Sequence, residues 1–276
     1  MTSNLDLKRV QNKSKLRGFG NLLRKENRSW WNTHLWWINT LLWTLLLCGL
    51  MAIMLFGPNN ELQEASEAEI AAAGGELGFI LGVGVNIFFQ FGVVVTAIGV
   101  IVLTQGVIIS EKQNGLTEWL LSKPVNYRSY ILAKLAANSP PILLLVVGLP
   151  SVVGYGLLSL RMGAPYPAVP YWSGVGILAI HTLFYLTLTL MLGTIFQSRG
   201  PILGIALASA LGGNLIGGLF QPLLSVTPWN LPKLATLTSS SQALPPELGI
   251  APILASFVWS LVFILVSVVT FERTEF

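Results

Sequence analysis

The chain has 276 residues, 53% hydrophobic and only 10% charged, with a mean hydropathy of +0.67. Soluble domains carry about a quarter charged residues, so the composition excludes an ordinary soluble protein and reads as an integral membrane protein. The net charge of +4 does not indicate a nucleic-acid partner, because the positive residues are unevenly placed: half of the sixteen Lys and Arg lie in residues 1–34, and none lies in 57–77, which holds five Glu.

A crossing of the hydrocarbon needs about 20 apolar residues. Segments free of Asp, Glu, Lys and Arg run over 35–60, 77–110, 135–160, 162–198, 200–232 and 248–271. They predict an all-α, polytopic membrane protein with six transmembrane helices in one domain, 35–276, preceded by a basic tail and interfacial helix, 1–34. With the N-terminus cytoplasmic, fourteen of the sixteen Lys and Arg face the cytoplasm and only Arg161 and Lys233 lie outside. That asymmetry is the positive-inside pattern and sets both termini of this multi-pass protein on the cytoplasmic side of the inner (plasma) membrane.

Residues 1–16 are polar and basic without periodicity. From Arg17 the pattern predicts an amphipathic helix: Phe19, Leu22, Leu23, Trp30 and Trp31 share a face, while Arg24, Lys25 and Arg28 point away. Such a helix lies in the interface, with Trp30, Trp31, Trp36 and Trp37 as an aromatic belt; anchoring is its plainest role. No cleavable signal peptide is expected, because the first apolar run, Leu35–Phe56, is too long for its hydrophobic region. The single cysteine, Cys48, excludes an intrachain disulfide.

The first span ends at Gly57-Pro58. The acidic loop after it, Asn59–Glu76, has room for a short Ala/Glu helix, and its carboxylates read as solvated surface rather than a metal site. The second span, about Gly78–Ile109, exceeds thirty residues and so tilts or extends beyond the bilayer. The third, about Ser129–Leu160, contains Pro140, Pro141 and Pro150 and is expected to bend. The fourth, about Tyr171–Phe196, carries His181 and Tyr185. The fifth, about Ile202–Leu224, has Gly200/Gly204 and Gly213/Gly217 at the spacing that permits close helix approach. Segment 225–249 is too polar and proline-broken to cross, and suits short helices at the outer interface. The sixth span, about Ile250–Phe271, ends at Glu272-Arg273.

Catalytic motifs are absent: there is no G-x4-G-K-[ST], H-E-x-x-H, G-x-S-x-G or Cys/His cluster. No span carries an Asp, Glu, Lys or Arg near its middle, which argues against proton- or sodium-coupled carriers, pumps and voltage sensors. No convincing internal repeat is visible either, which weakens an inverted-repeat transporter. His181 is the only ionisable side chain deep in a span. It contacts a substrate or, more plainly, is a neutral imidazole holding a neighbouring helix. Asn86, Gln90, Asn214 and Gln221 pose the same choice and, with His181 and Tyr185, are the candidate pathway residues. Walls otherwise of Phe, Leu, Ile, Val and Gly suit an apolar or amphipathic cargo.

The stretch Ser110–Lys134 stands out as an island of charge and turn chemistry between two oily runs. Asn114 is placed to cap a two-turn helix with Gly115 at its first position and Glu118 in its first turn. Leu116, Trp119 and Leu120 share a face, and Pro124 stops the helix at Lys123. Two turns do not hold alone, so this helix lies on the membrane surface or on a partner protein.

The stretch resembles the first cytoplasmic loop of the type-2 ATP-binding cassette (ABC) permeases, with its pattern E-[KR]-x-x-G-[TS]-x-E-x-L-L-[SA]-x-P-[VI]-x-R. The matching residues are Glu111, Lys112, Gly115, Glu118, Leu120, Leu121, Ser122, Pro124 and Val125, followed by Arg128 and Lys134. Leu116 stands where the family has a hydroxyl, and Thr117 comes one place later. The lead-in Gly18–Trp37, the six spans, the broken outer segment and the ending from Phe271 extend the resemblance over the chain, especially to the subgroup containing the permease of the nitrous-oxide-reductase maturation system. The resemblance implies the transmembrane subunit of an ATP-driven exporter, paired with a second permease chain, as a homodimer, and with two copies of a separate ABC ATPase. Gly115–Ser122 would then be a coupling helix, anchored on the ATPase by Trp119, Leu120 and Leu121 and oriented by Glu111, Lys112 and Glu118. No cofactor is expected in this chain, since the partner ATPase binds ATP and Mg. The alternative is a six-span channel-like or scaffold protein without an ATPase partner.

Overall fold

The computed structural model describes residues 16, 18–58, 60–117, 125–219, 222–244 and 248–273, leaving aside the side chains at 35, 60, 61, 214–219 and 222. All regular structure among them is helical. The helices are α1 (Phe19–Trp31), α2 (Leu35–Phe56), α3 (Asn60–Glu64) and α4 (Glu67–Ala72). There follow the continuous α5 (Glu76–Gln113) and α6 (Tyr127–Met162). The last five are α7 (Ala168–Ile195), α8 (Arg199–Leu219), α9 (Pro222–Val226), α10 (Leu231–Ser239) and α11 (Ala251–Arg273).

Five of these are long and apolar enough to cross a membrane: α2 from Trp36, α5, α6, α7 and α11. The fifth expected crossing falls on α8, which is not one of the five. At 1.5 Å per residue the 38 residues of α5 reach about 57 Å, well beyond a hydrocarbon core of about 30 Å. α5 is therefore long enough to tilt or to extend beyond the hydrocarbon, in keeping with its length in the sequence.

The polar contacts sort the bundle into two ends. At the basic end, α1, the flanks of the 110–134 loop, the α7–α8 turn and the last turn of α11 come together. At the acidic end, Tyr166 donates from its hydroxyl to the carbonyl of Ser239 at 3.2 Å, and Trp259 Nε1 donates to the carbonyl of Val226 at 2.9 Å. Two apolar cores follow this division. One is built around Ile101, Ile108, Tyr130 and Phe271, the other around Leu55, Phe88, Phe89 and Tyr171.

Both long helices contain a widened, π-helical stretch. In α6 it covers Leu143–Gly148, directly after Pro140 and Pro141. Two consecutive residues without an N–H leave carbonyls unpaired one turn earlier, and the ladder shifts register to recover. In α5 it covers Ile87–Phe91 and contains no proline. There the wide turn lets two adjacent rings, Phe88 and Phe89, both enter the core against Tyr171, at 6.1 and 5.7 Å between centroids. Nothing in the local sequence pattern anticipates this second one.

The acidic loop does hold a short Ala/Glu helix, α4, started by a reciprocal cap between Ser66 and Glu69. Hydrogen bonds from the Ser66 backbone and hydroxyl lower the Glu69 pKa. This cap is complete at neutral pH and is lost as pH falls through that lowered value. In the segment after α8, α9 is followed by a single turn, Pro228–Asn230, and then α10, whose Leu231, Leu234, Ala235 and Ser239 are buried. These short helices, expected at an interface, thus pack one face into the bundle.

A Cβ added at Gly200 or Gly204 of α8 would meet open space, whereas one at Gly213 would run into the Trp229 ring. Of the expected close approaches, the one at Gly213 is made within the chain. A second close approach, at Gly174, joins α7 to α10. A Cβ there would overlap the Ser239 hydroxyl and stand 2.8 Å from the Ala235 carbonyl, whereas Gly176 faces open space. Gly174→Val is expected to destabilise by about 1–3 kcal/mol. Thermal unfolding of the solubilised chain checks this: a lowered midpoint for Gly174→Val beside an unchanged one for Gly176→Val is the expected pair.

Candidate functional site

The loop that stands out in the sequence is framed by ordered contacts on both sides. α5 ends at Gln113, and Gly115 has φ +65°, the left-handed backbone that terminates helices. Gly115 therefore closes the long helix instead of opening the short one, and Asn114 is a C-cap, not the expected N-cap. The physical reason is that glycine carries no Cβ penalty in this conformation. Helical geometry resumes at Leu116, which is partly exposed, and Thr117, which is fully buried. Glu118, Trp119, Leu120, Leu121 and Pro124 lie outside the described residues.

Glu111 and Lys112 have their charged atoms engaged within the chain. The Lys112 ammonium donates to the carbonyl of Thr194 at 2.6 Å and to that of Phe196 at 3.5 Å. It thereby caps the C-terminal end of α7, where a cation is stabilised by the helix dipole. Gln113 adds a bond to the carbonyl of Gln197 at 3.3 Å. Glu111 accepts from Lys25 at 2.5 Å on one oxygen, and on the other from the Tyr130 hydroxyl at 2.6 Å and Lys134 at 3.0 Å.

Lys134 is the centre of this group. Its side chain is only 2% exposed, and it also meets Glu26 of α1 at 3.1 Å. Two ladders at four-residue spacing face each other here. Leu22, Glu26 and Trp30 lie along one face of α1, and Tyr130, Lys134 and Asn138 along one face of α6. Trp30 Nε1 donates to the Asn138 amide oxygen at 2.9 Å, and the Asn138 NH2 donates to the Lys134 carbonyl at 2.7 Å. Tyr130 stacks on Phe271, 4.7 Å apart and nearly parallel, which brings in the last helix. Arg128 reinforces that tie through Glu272 at 3.0 Å.

The amphipathic lead-in is thus docked on the bundle. Leu22 and Trp30 are buried as the apolar face required, but Trp31 is 43% exposed and Glu26 replaces it on the docked face. Trp30 accordingly leaves the expected aromatic belt, in which Trp31, Trp36 and Trp37 remain exposed. The helix stops at Trp31, with a break before α2 begins at Leu35. Glu26, Tyr130 and Lys134 were not among the expected site residues. Their signal was present: Glu26 stands four positions from both Leu22 and Trp30, and Lys134 four positions from Tyr130, each on one helical face.

The expected pathway residues do not form one set. Asn86 and Gln90 line a cleft of about 930 Å³ at the acidic end, with Lys233 and Gln242. His181 and Tyr185 lie elsewhere, buried in α7 with their rings 4.9 Å apart. Tyr185 donates to the Ser209 carbonyl of α8 at 3.3 Å, and the His181 Nδ1 has no partner among the described residues. The Asn214 side chain and Gln221 fall outside the described residues. No group of three or more His, Cys, Asp or Glu placed to hold a metal occurs among the described residues.

Five helices long and apolar enough to cross a membrane define the chain as a multi-pass helical membrane protein. A family model described as ABC-2 family transporter protein matches residues 20–276, and the chain belongs to that family. It is a multi-pass membrane permease subunit of an ABC transporter, distinct from the ABC ATPase subunit with which such a permease pairs. No curated protein matches the chain.

The buried ammonium gives a direct test. Removing one member of a buried ion group costs about 3–5 kcal/mol, because the remaining charges lose their partner. Lys134→Ala is expected to lower the unfolding midpoint strongly and to open α1 to trypsin at Arg24 and Arg28. Lys25→Ala, at a 43% exposed side chain, is expected to cost about 0–1 kcal/mol. Equal effects of the two substitutions would contradict this ranking.

Proposed function

We propose that the chain is the transmembrane subunit of an ATP-driven ABC exporter, working as a homodimer with two copies of a separate ATPase subunit. In this reading the protein crosses the inner (plasma) membrane six times, with α8 as the fifth crossing, and the basic end and both termini are cytoplasmic. The distribution of Lys and Arg supports that orientation. The subgroup containing the nitrous-oxide-reductase maturation permease is the one proposed, on the loop pattern, the lead-in helix and the ending together. The alternative channel-like or scaffold protein without an ATPase is set aside by the family membership.

The observation that carries the coupling role is the framing of the 110–134 loop. On one side Glu111 and Lys112 bind it to α1, α6 and α7, and on the other Arg128 binds it to α11. A push on the loop in this reading reaches four other helices through charged contacts. Gly115–Ser122 is the coupling helix, with Trp119, Leu120 and Leu121 packing on the ATPase and Thr117, Glu118 and Pro124 fixing its course. Glu111 and Lys112 are struts at its base.

Trp119→Ala combined with Leu120→Ala is expected to leave the protein inserted and folded but to abolish co-purification of the ATPase or transport-coupled hydrolysis. Unchanged co-purification and turnover would refute the assignment. Orientation is checked with single cysteines at Gln113 and Gln242 in a Cys48→Ala background. An impermeant maleimide applied to intact cells is expected to label only position 242.

A further inference from the structure

The cleft at the acidic end lies between the beginning of α5, the α6–α7 loop and α10. Its polar groups fall into two kinds. Thr236 and Ser240 spend their hydroxyls on carbonyls of α10 itself, at 3.0 and 2.8 Å. Asn86, Gln90, Lys233 and Gln242 make no side-chain hydrogen bond or ion pair among the described residues, although all four line the cleft. Among the described residues Lys233 is the single charged residue of the lining, and no carboxylate lines the cleft. The remaining wall includes Phe79, Leu81, Ile87 and Leu237.

This combination selects a chemistry. An exposed ammonium beside apolar walls, with no carboxylate among the described lining residues, favours an anionic head over a cationic one. Amide groups from α5 and from the residues after α10 offer hydrogen bonds to an oxygen-rich head. The apolar wall accommodates a hydrocarbon tail, and the volume lies at the upper end of the range for ligand pockets, about 300–1,000 Å³. Lys233 is moreover the sole Lys or Arg between Arg199 and Arg273, retained at the end of the bundle where positive residues are scarce.

We propose that this cleft is a binding site for an amphiphile with an anionic head and a single hydrocarbon tail, its head held at Lys233 and its neck by Asn86 and Gln90. The site deepens the transport reading by naming the class of cargo, and it rests on that reading only for the role of the bound molecule. Binding to the chain alone is independent of ATPase coupling, so the two fail separately: loss of coupling in the Trp119 and Leu120 variant leaves this binding intact.

The test uses the full-length chain in nanodiscs of zwitterionic phosphatidylcholine, with fluorescently labelled dodecyl phosphate as probe and empty nanodiscs subtracted. Saturable binding is expected, weakened about tenfold in Lys233→Gln, the scale of one charge-assisted hydrogen bond, and retained in Lys233→Arg. Asn86→Ala with Gln90→Ala is expected to weaken it as well. Dodecyltrimethylammonium and inorganic phosphate are expected not to displace the probe. Unchanged affinity in Lys233→Gln, equal loss in Lys233→Arg, or displacement by the cationic amphiphile overturns the proposal. Displacement by inorganic phosphate overturns it in favour of a site for a small free anion.

Discussion

The Lys134 ammonium lies in an apolar bundle with almost no access to water, and the basic end is built to make that tolerable. A lone charge so placed carries a desolvation cost of several kcal/mol. Two carboxylates, Glu26 and Glu111, offset it from different helices, and Lys25 balances the second negative charge, so the group of four is neutral. Its members come from α1, α5 and α6, and losing α5 or α6 strands a charge. Losing α1 removes one of the two carboxylates from the buried ammonium, together with the packing of Leu22 and Trp30. The remaining surface of α1 is basic and exposed, as a helix at a membrane boundary requires.

The other contacts at this end repeat the principle with weaker means. Lys112 meets the open carbonyls at the end of α7, and Arg128 meets Glu272 on α11. Cations thus stand at the ends of helices whose negative poles point the same way, and each bond joins segments far apart in sequence. α8 is joined to the bundle by the buried Ile202 and Ala206, and by Tyr185 and Trp229, which both donate to the Ser209 carbonyl, at 3.3 and 3.0 Å. By contrast, α2 and α11 expose long apolar faces, among them Leu45, Ile53, Phe257 and Leu265. Such faces suit lipid or a second copy of the chain.

Much of this was legible because a bilayer leaves few options. Backbone groups in hydrocarbon must be paired within a segment, so apolar runs become helices and their ends fall near the charges that bound them. The predicted boundaries of the second, third and fourth crossings agree with α5, α6 and α7 to within a few residues at each end. The site was less legible. Gly115 reads equally well as the start of a short helix or the end of a long one until its backbone sign is known. Glu26 and Lys134 looked like ordinary boundary charges, because the pairing that buries them links residues 108 apart. Asn86 and Gln90 carried polar groups, but no periodicity could join them to Lys233 on a helix beyond three further long helices. The wide turn at Ile87–Phe91 left no mark, since what favours it is the seat for Phe89 against Tyr171 on another helix.

α5 and α6 both run from the loop to the cleft, α5 through Asn86 and Gln90 and α6 through Met162. Asn86 and Glu111 are 25 residues apart, about 37 Å along a straight helix. A rigid rod of that length would transmit any displacement of one end to the other unchanged. The π-helical stretch at Ile87–Phe91 interrupts it immediately beside Asn86, and the one at Leu143–Gly148 interrupts α6. Wide turns break the regular four-residue ladder, so each long helix consists of two stiff segments meeting at a softer joint. The joint in α5 lies at the cleft and not at the loop. Between Gly92 and Gln113 the helix is regular except at Gln105, and Asn86 and Gln90 stand at the wide turn where the ladder is broken.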